Sequence, residues 1–66
     1  MKLVLKGLYG DKERIAYMRK QGIYCFDFVN DKSFASDYTE AEAEKIIAHS
    51  EWYCKMYAAV ELVTEN

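Results

Sequence analysis

Hydrophobic and polar residues alternate along three short stretches in the first half of the chain. The predicted strands are residues 1–8, 14–19 and 23–29. Alternation with a period of two places every second side chain on the same face of a sheet. In the second stretch, Ile15 and Tyr17 fall on one face, and Ala16 and Met18 fall on the other. Gly22 separates the second and third stretches and suits a hairpin turn.

A helix is predicted to begin at Thr39. Thr39 and Glu42 have the spacing of a capping box, in which the threonine hydroxyl and the glutamate carboxylate each accept a hydrogen bond from the other residue's amide. Ala43, Ile46 and Ile47 follow at helical spacing, so we expect them to face the sheet.

The C-terminal part of the chain has two interpretations. Residues 54–63 alternate between apolar and polar side chains, which favours a final strand. No glycine or proline interrupts residues 39–66, so one long C-terminal helix is the alternative. The sequence therefore predicts a single α+β domain over residues 1–66. It is an antiparallel sheet of three to four strands with one capped helix, or a three-stranded sheet followed by one long C-terminal helix.

Composition and motifs favour a binding protein over an enzyme. The chain has 66 residues, 52% of them hydrophobic and 30% charged, which is typical of a folded domain. It contains no glycine-rich phosphate loop, nucleophile elbow or paired-cysteine motif, and His49 is its only histidine. We therefore expect no catalytic residues, no metal and no cofactor.

The sequence also bears on the compartment. No apolar stretch resembles a signal peptide or a membrane span, so we expect a cytoplasmic protein without membrane contact. In that compartment Cys25 and Cys54 are predicted to be reduced and buried.

Aromatic residues make up 15% of the chain, more than a small core obviously needs. Aromatic side chains are enriched at the centres of protein interfaces. The candidate interface residues are Tyr24, Phe28, Trp52, Tyr53 and Tyr57. These residues indicate a protein partner.

Basic residues in the first hairpin suggest an alternative function. Lys12, Arg14, Arg19 and Lys20 would contact phosphate in a nucleic-acid-binding accessory or regulatory protein. The pI of about 5.3 makes this alternative weaker, because phosphate binding usually needs a strong positive field.

The order of these features resembles that of small accessory proteins from phages and other mobile elements. The aromatic–threonine cap Tyr38-Thr39, the Glu/Ala-rich residues 40–44 and the final Val60-Glu61-Leu62-Val63 carry the resemblance. It implies a protein that binds and inhibits a host protein such as an antiviral defence enzyme, inside a host bacterium. No catalytic residue follows from it.

Self-association is also expected, most simply as a homodimer. The third predicted strand has apolar groups on both faces, and a single helix covers only one face of a sheet. Asp27, in the middle of that strand, is typical of outward-facing charges that oppose pairing between sheet edges.

Overall fold

The computed structural model describes residues 1–23 and 25–66, which form one four-stranded antiparallel sheet and two α-helices. The strands are β1 (Lys2–Lys6), β2 (Ile15–Lys20), β3 (Phe26–Val29) and β4 (Glu61–Glu65), and the helices are α1 (Glu40–Ile47) and α2 (Ser50–Met56). The predicted α+β class is therefore confirmed. Neither of these helices is long and apolar enough to cross a bilayer.

The two helices cross one face of the sheet. The strand order is β3-β2-β1-β4, so β3 and β4 form opposite edges, and α1 and α2 connect one edge with the other. At the centre of the sheet, Leu3, Val4 and Leu5 are fully buried. Leu3 and Leu5 face the helices, while Val4 faces the opposite side, as alternation in a strand requires.

The main core lies between the sheet and the helices. Its buried side chains are Leu3, Leu5, Leu8, Ala16, Met18, Tyr38, Ala43 and Leu62. Ile46 and Ile47 of α1 pack against this core, as their spacing predicted. Burial of one leucine-sized side chain contributes roughly 1.5–3 kcal/mol, so this layer supplies most of the apolar stabilisation.

The loop that follows β3 covers the centre of the opposite face. Val4, Tyr17 and Ala35 form a second buried cluster there. Ion pairs around it are Lys2–Asp37 (3.0 Å), Arg19–Asp27 (2.6 Å) and Lys32–Glu65 (2.7 Å). The centre of this face is thus covered within one chain and needs no second copy to cover it.

The same loop passes from one face of the sheet to the other. The amide of Ser36 donates to the carbonyl of Met18 at 3.3 Å, and the Ser36 hydroxyl accepts from the Lys20 amide at 2.8 Å. Two residues on, the Tyr38 amide donates to the Met1 carbonyl at 2.8 Å. Residues 36–38 therefore lie between the end of β2 and the start of β1, which brings the chain to α1.

The capping box predicted at Thr39 is present. The Glu42 amide donates to the Thr39 hydroxyl at 3.2 Å, and the Thr39 amide donates to the Glu42 carboxylate at 3.0 Å. The helix that it begins is shorter than the long-helix alternative requires. It ends at Ile47, and His49, with φ −106° and ψ 17°, separates it from α2.

The predicted strand over residues 54–63 begins later than expected. Cys54, Lys55 and Met56 form the end of α2, and β4 begins at Glu61. The sheet accordingly carries two helices instead of one. Tyr53 and Tyr57 are one helical turn apart, and both pack against the core. The local pattern of this segment fitted both a strand and a helix, and this packing favours the helix.

Candidate functional site

Four of the five aromatic residues predicted to form an interface lie together between β3 and α2. The Phe28 ring centroid lies 4.5 Å from that of Tyr57 and 6.5 Å from that of Tyr53. Trp52 lies 5.1 Å from Tyr53, measured in the same way. The fifth residue, Tyr24, lies outside the described residues.

Phe26 belongs to the same group, although the sequence interpretation did not include it. Its ring meets Tyr53 edge-on, with 6.4 Å between centroids and 88° between ring planes. Phe26 and Phe28 are two residues apart on one strand and therefore share a face, a signal that could have identified Phe26. The aromatic cluster consists of Phe26, Phe28, Trp52, Tyr53 and Tyr57.

The apolar side chains of α2 and of its C-cap residue Tyr57 form a packed base and an exposed rim. Tyr53 and Tyr57 are half-buried against the sheet. Trp52 and Met56 are also one turn apart but lie on the neighbouring side of the helix, where they are 61% and 55% exposed. The base holds the rings in place, and the rim presents apolar surface to solvent.

A groove runs along β3 on its helix side. It consists of a depression of about 500 Å³ between α1 and the β2–β3 turn, and one of about 230 Å³ between β3 and α2. Phe26 and Tyr53 line both depressions, so the two adjoin. This strand–helix groove is bounded by Ile23, Phe26 and Phe28 on the strand side and by Ile46, Tyr53 and Met56 on the helix side.

The peptide groups of Phe26 and Phe28 point away from the sheet. The Gln21 amide donates to the Cys25 carbonyl at 2.8 Å, so Cys25 bonds towards β2. Along an antiparallel strand, the peptide groups of successive residues point alternately towards and away from the paired strand. The amide and carbonyl of Asp27 therefore also point towards β2, and those of Phe26 and Phe28 point away from it. Because β3 is an edge strand, these peptide groups line the open side of the groove.

Charged residues line the end of the groove nearest α1. The Lys20 ammonium lies 2.6 Å from the Glu42 carboxylate, and this contact, together with the Thr39 amide, lowers the pKa of Glu42 to about 2. Lys45 and His49 line the same depression and are exposed. Lys45 takes part in none of the ion pairs among the described residues.

The four basic residues considered for nucleic-acid binding do not form one patch. Lys12 and Arg14 lie just before β2, whereas Arg19 and Lys20 lie at its far end, roughly 16 Å away for a strand of this length. Arg19 and Lys20 point to opposite faces of the sheet, and each is held by a carboxylate at 2.6 Å.

Both cysteines are free thiols, but neither is fully buried as predicted. β3 begins at Phe26 and not at residue 23 as predicted, which leaves Cys25 exposed in the turn beside the groove. Cys54 is half-buried, and burial raises the pKa of its thiol. Among residues 1–23 and 25–66, no three histidine, cysteine, aspartate or glutamate side chains are grouped as a metal site would require.

The fold and this site define a small α+β protein with an apolar groove beside an open strand edge. No protein-family model, curated protein or solved structure significantly matches the chain.

Proposed function

We propose that this protein is a non-enzymatic binding protein whose strand–helix groove docks a partner protein. The supporting observation is that Ile23, Trp52 and Met56, which are 87%, 61% and 55% exposed, stand beside the groove. Tryptophan and methionine are enriched at protein interfaces, and a single tryptophan often carries much of the binding energy. The packed rings of Phe28 and Tyr53 hold the base of the groove in place, which lowers the entropy lost on binding.

A scattered exposed apolar side chain would not support the same proposal. Phe34 is 63% exposed, but it lies in the 3-10 turn Lys32–Phe34 and lines neither depression. Single exposed hydrophobic residues of this kind are ordinary on protein surfaces. Trp52 differs because it belongs to a continuous apolar surface that includes a concave part.

The finer proposal is that the protein is phage-encoded and inhibits a host protein, such as an antiviral defence enzyme, in the bacterial cytoplasm. Its support is the resemblance carried by Tyr38-Thr39, the Glu/Ala-rich start of α1 and the C-terminal Val60-Glu61-Leu62-Val63. Inhibition through the groove requires no reactive group on this chain, because occupying a surface of the enzyme is sufficient.

Affinity capture with paired variants tests the proposal. The tagged chain and two substituted forms, Trp52→Ala and Phe34→Ala, are incubated with lysates of candidate host bacteria. Both substitutions remove a large exposed ring, but only Trp52 borders the groove. We expect a partner that the wild type and Phe34→Ala retain and that Trp52→Ala loses. Equal capture by all three forms, or no specific partner from any plausible host, contradicts the proposal.

Nucleic-acid binding is the weaker alternative. Arg19 and Lys20 already contact carboxylates, which leaves Lys12 and Arg14 as the main cationic contacts. A phosphate-binding surface loses affinity steeply as salt concentration rises. Fluorescence anisotropy with DNA and RNA probes over a salt series tests this, and an absence of salt-sensitive binding eliminates it.

Self-association through the same groove is the alternative to binding a different protein there. The loop containing Ala35 covers the centre of the sheet face opposite the helices, so the exposed apolar area that a second copy would bury is at the groove. Light scattering coupled to size exclusion measures the mass directly. A mass near 7.7 kDa at micromolar concentration contradicts a homodimer.

A further inference from the structure

The edge of β3 offers two kinds of contact at the same place. The peptide groups of Phe26 and Phe28 face outward, and the apolar walls of the groove lie beside them. A segment that adds to β3 as a strand pairs with the peptide groups and directs every second side chain towards the helices. Neither contact alone distinguishes this mode from ordinary surface docking, but the two together do.

The dimensions of the groove fit such a strand. A neighbouring strand would lie about 4.8 Å beyond β3, which would place its helix-side side chains next to Phe26 and Phe28, in the depression that Met56 also lines. Side chains at positions i and i+2 are about 6.6 Å apart along a strand. The two depressions adjoin at Phe26 and Tyr53, so successive helix-side residues can occupy one depression each.

The positive charge of Lys45 at the α1 end of the groove favours an apolar segment that also carries a carboxylate. Lys20 is neutralised by Glu42 at 2.6 Å, whereas Lys45 and His49 line the same depression without such a contact among the described residues. A carboxylate on the occupant would be attracted to Lys45, and a lysine would be repelled.

We infer that the strand–helix groove binds an extended segment of a partner protein as a fifth strand on β3. The segment has large apolar residues at positions i and i+2, and an aspartate or glutamate two residues beyond the one that enters the α1 end, so that all three side chains face the helices. The inference rests on the proposed function and specifies the chemistry of the partner segment.

A second copy of this chain fits the edge less well than such a segment. The antiparallel register that pairs Phe26 with Phe28 of the second copy also sets Asp27 directly opposite Asp27 of that copy. Like charges directly opposite each other destabilise a strand pair. This repulsion disfavours one register of a β3–β3 dimer, so we commit to a different protein as the occupant, and a dimer through β3 would overturn the inference.

Amide hydrogen exchange tests the edge geometry in the free protein. The amides of Phe26 and Phe28 should exchange faster than those of Asp27 and Val29, which bond to β2. Equal protection at all four positions contradicts the outward orientation on which the inference depends. Protection of Phe26 and Phe28 at high protein concentration, together with a doubled mass, shows that a second copy is the occupant and overturns the inference.

Selection from a displayed library of random peptides of about twelve residues tests the occupant. We expect enriched peptides to share the i, i+2 apolar pair and an acidic residue two positions beyond it at the α1 end. A bound peptide should slow exchange at Phe26 and Phe28, and Trp52→Ala should weaken its binding about thirtyfold. Methylation of the peptide nitrogens that pair with β3 should abolish binding, whereas methylation at the alternate nitrogens should not.

A charge swap tests the acidic position. Lys45→Glu should weaken the selected acidic peptide about two- to fivefold, and a lysine at that peptide position should restore the affinity. Lys12→Glu makes the same change of charge at the distant β1–β2 turn and serves as the matched control. Equal weakening by both variants contradicts a local contact with Lys45.

The results separate this inference from the proposed function. If a cellular partner depends on Trp52 but leaves the exchange of Phe26 and Phe28 unchanged, the groove binds protein but not as an added strand. If no peptide is enriched, or enriched peptides lack the apolar pair, the inference is wrong. If the capture experiment finds no partner dependent on Trp52, the proposed function fails, and this inference fails with it.

Discussion

The backbone amide of Tyr9 donates a hydrogen bond of 3.1 Å to the carbonyl of Ala58. Tyr9 and Ala58 are also the non-glycine residues with positive φ, 55° and 49°, in the part of the chain that the structure describes. A side chain in this left-handed region costs roughly 1–2 kcal/mol. The hydrogen bond therefore joins two strained turns, one after β1 and one before β4, where these two paired strands meet their connections.

Replacing Ala58 by glycine should stabilise the protein. Ala58 follows Tyr57, the C-cap of α2. At this helix end, the Ala59 amide donates to the Cys54 carbonyl at 2.8 Å, and the Ala58 amide donates to the Lys55 carbonyl at 3.4 Å. This motif usually carries glycine at the left-handed position. Ala58→Gly should raise the free energy of unfolding by about 0.5–1 kcal/mol, measured by urea titration. Ala41→Gly, an exposed substitution within α1, should lower it by about 1 kcal/mol. A loss of stability at both positions would mean that the strain at Ala58 is small.

Gly7 and Gly10 form a matched pair for a second prediction. Both have positive φ, 74° and 81°, so an alanine at either position lowers the free energy of unfolding through backbone strain. A Cβ atom at Gly7 would also lie 2.9 Å from the Cβ of Val60, whereas one at Gly10 meets nothing. Gly10→Ala should cost about 1 kcal/mol, and Gly7→Ala should cost a further 1–3 kcal/mol or so because of the overlap. Thermal unfolding of the two variants compares them, and equal losses would contradict the close approach to Val60.

The central part of the fold could be predicted because its signals are local. Alternation in β2 separated Ala16 and Met18 from Ile15 and Tyr17, and the structure places the first pair on the helix face. The capping box placed the start of α1 at Thr39. The boundary between α2 and β4 could not be predicted in this way. Glycine usually marks a left-handed helix end, but here the position is Ala58, which carries no such signal.

The candidate site was predicted in composition but not in arrangement. The surplus of aromatic residues pointed to Phe28, Trp52, Tyr53 and Tyr57, which the structure brings together. Nothing in the local pattern indicated that the loop after β3 would cross the far face and place Ala35 over Val4. Such contacts join residues distant in sequence, and they decide which apolar surface stays exposed.

The capping box should make a measurable contribution to stability. Thr39→Ala removes the hydroxyl that accepts the hydrogen bond from the Glu42 amide at 3.2 Å. Loss of a cap typically costs about 1 kcal/mol, which lowers Tm by roughly 4–8 °C in a domain of this size. Thr39→Ser keeps the acceptor and should retain most of the stability. If both variants melt alike, the hydroxyl does not act as a cap in solution.

The Glu42 carboxylate should make stability depend on acid pH. Its pKa falls from 4.5 to about 2 in the folded protein, chiefly through the hydrogen bond from Lys20 and also through the Thr39 amide. A lowered pKa means that the unfolded state binds protons more readily, so this contribution is complete above pH 4.5 and is lost as the pH falls towards 2. Glu42→Gln should be less stable than wild type near neutral pH, and the difference should shrink over that range. Urea titrations of both proteins at several pH values measure it, and a constant difference would contradict the assignment.

The buried phenol of Tyr38 supplies the last prediction. Its hydroxyl makes no hydrogen bond of normal distance and angle among the described residues, although the Ser36 hydroxyl is close enough to act on its pKa. Its ring packs in the main core, with its centroid 4.9 Å from the Lys20 ammonium. An unpaired buried hydroxyl costs about 1–3 kcal/mol, so Tyr38→Phe, which keeps the ring, should leave stability unchanged or increase it. Tyr38→Ala, which removes the ring, should cost about 3–5 kcal/mol.

Alkaline pH adds a second measurement on the same pair of proteins. Burial raises the pKa of Tyr38 from 10.0 to about 12, so between these values the unfolded state releases this proton while the folded state keeps it. The free energy of unfolding of the wild type should therefore fall relative to that of Tyr38→Phe as the pH rises from 10 towards 12. Because the other tyrosines are common to both proteins, their ionisation cancels in the comparison. If Tyr38→Phe instead loses more than about 1 kcal/mol near neutral pH, the hydroxyl has a hydrogen-bond partner in solution, and the predicted gain is wrong.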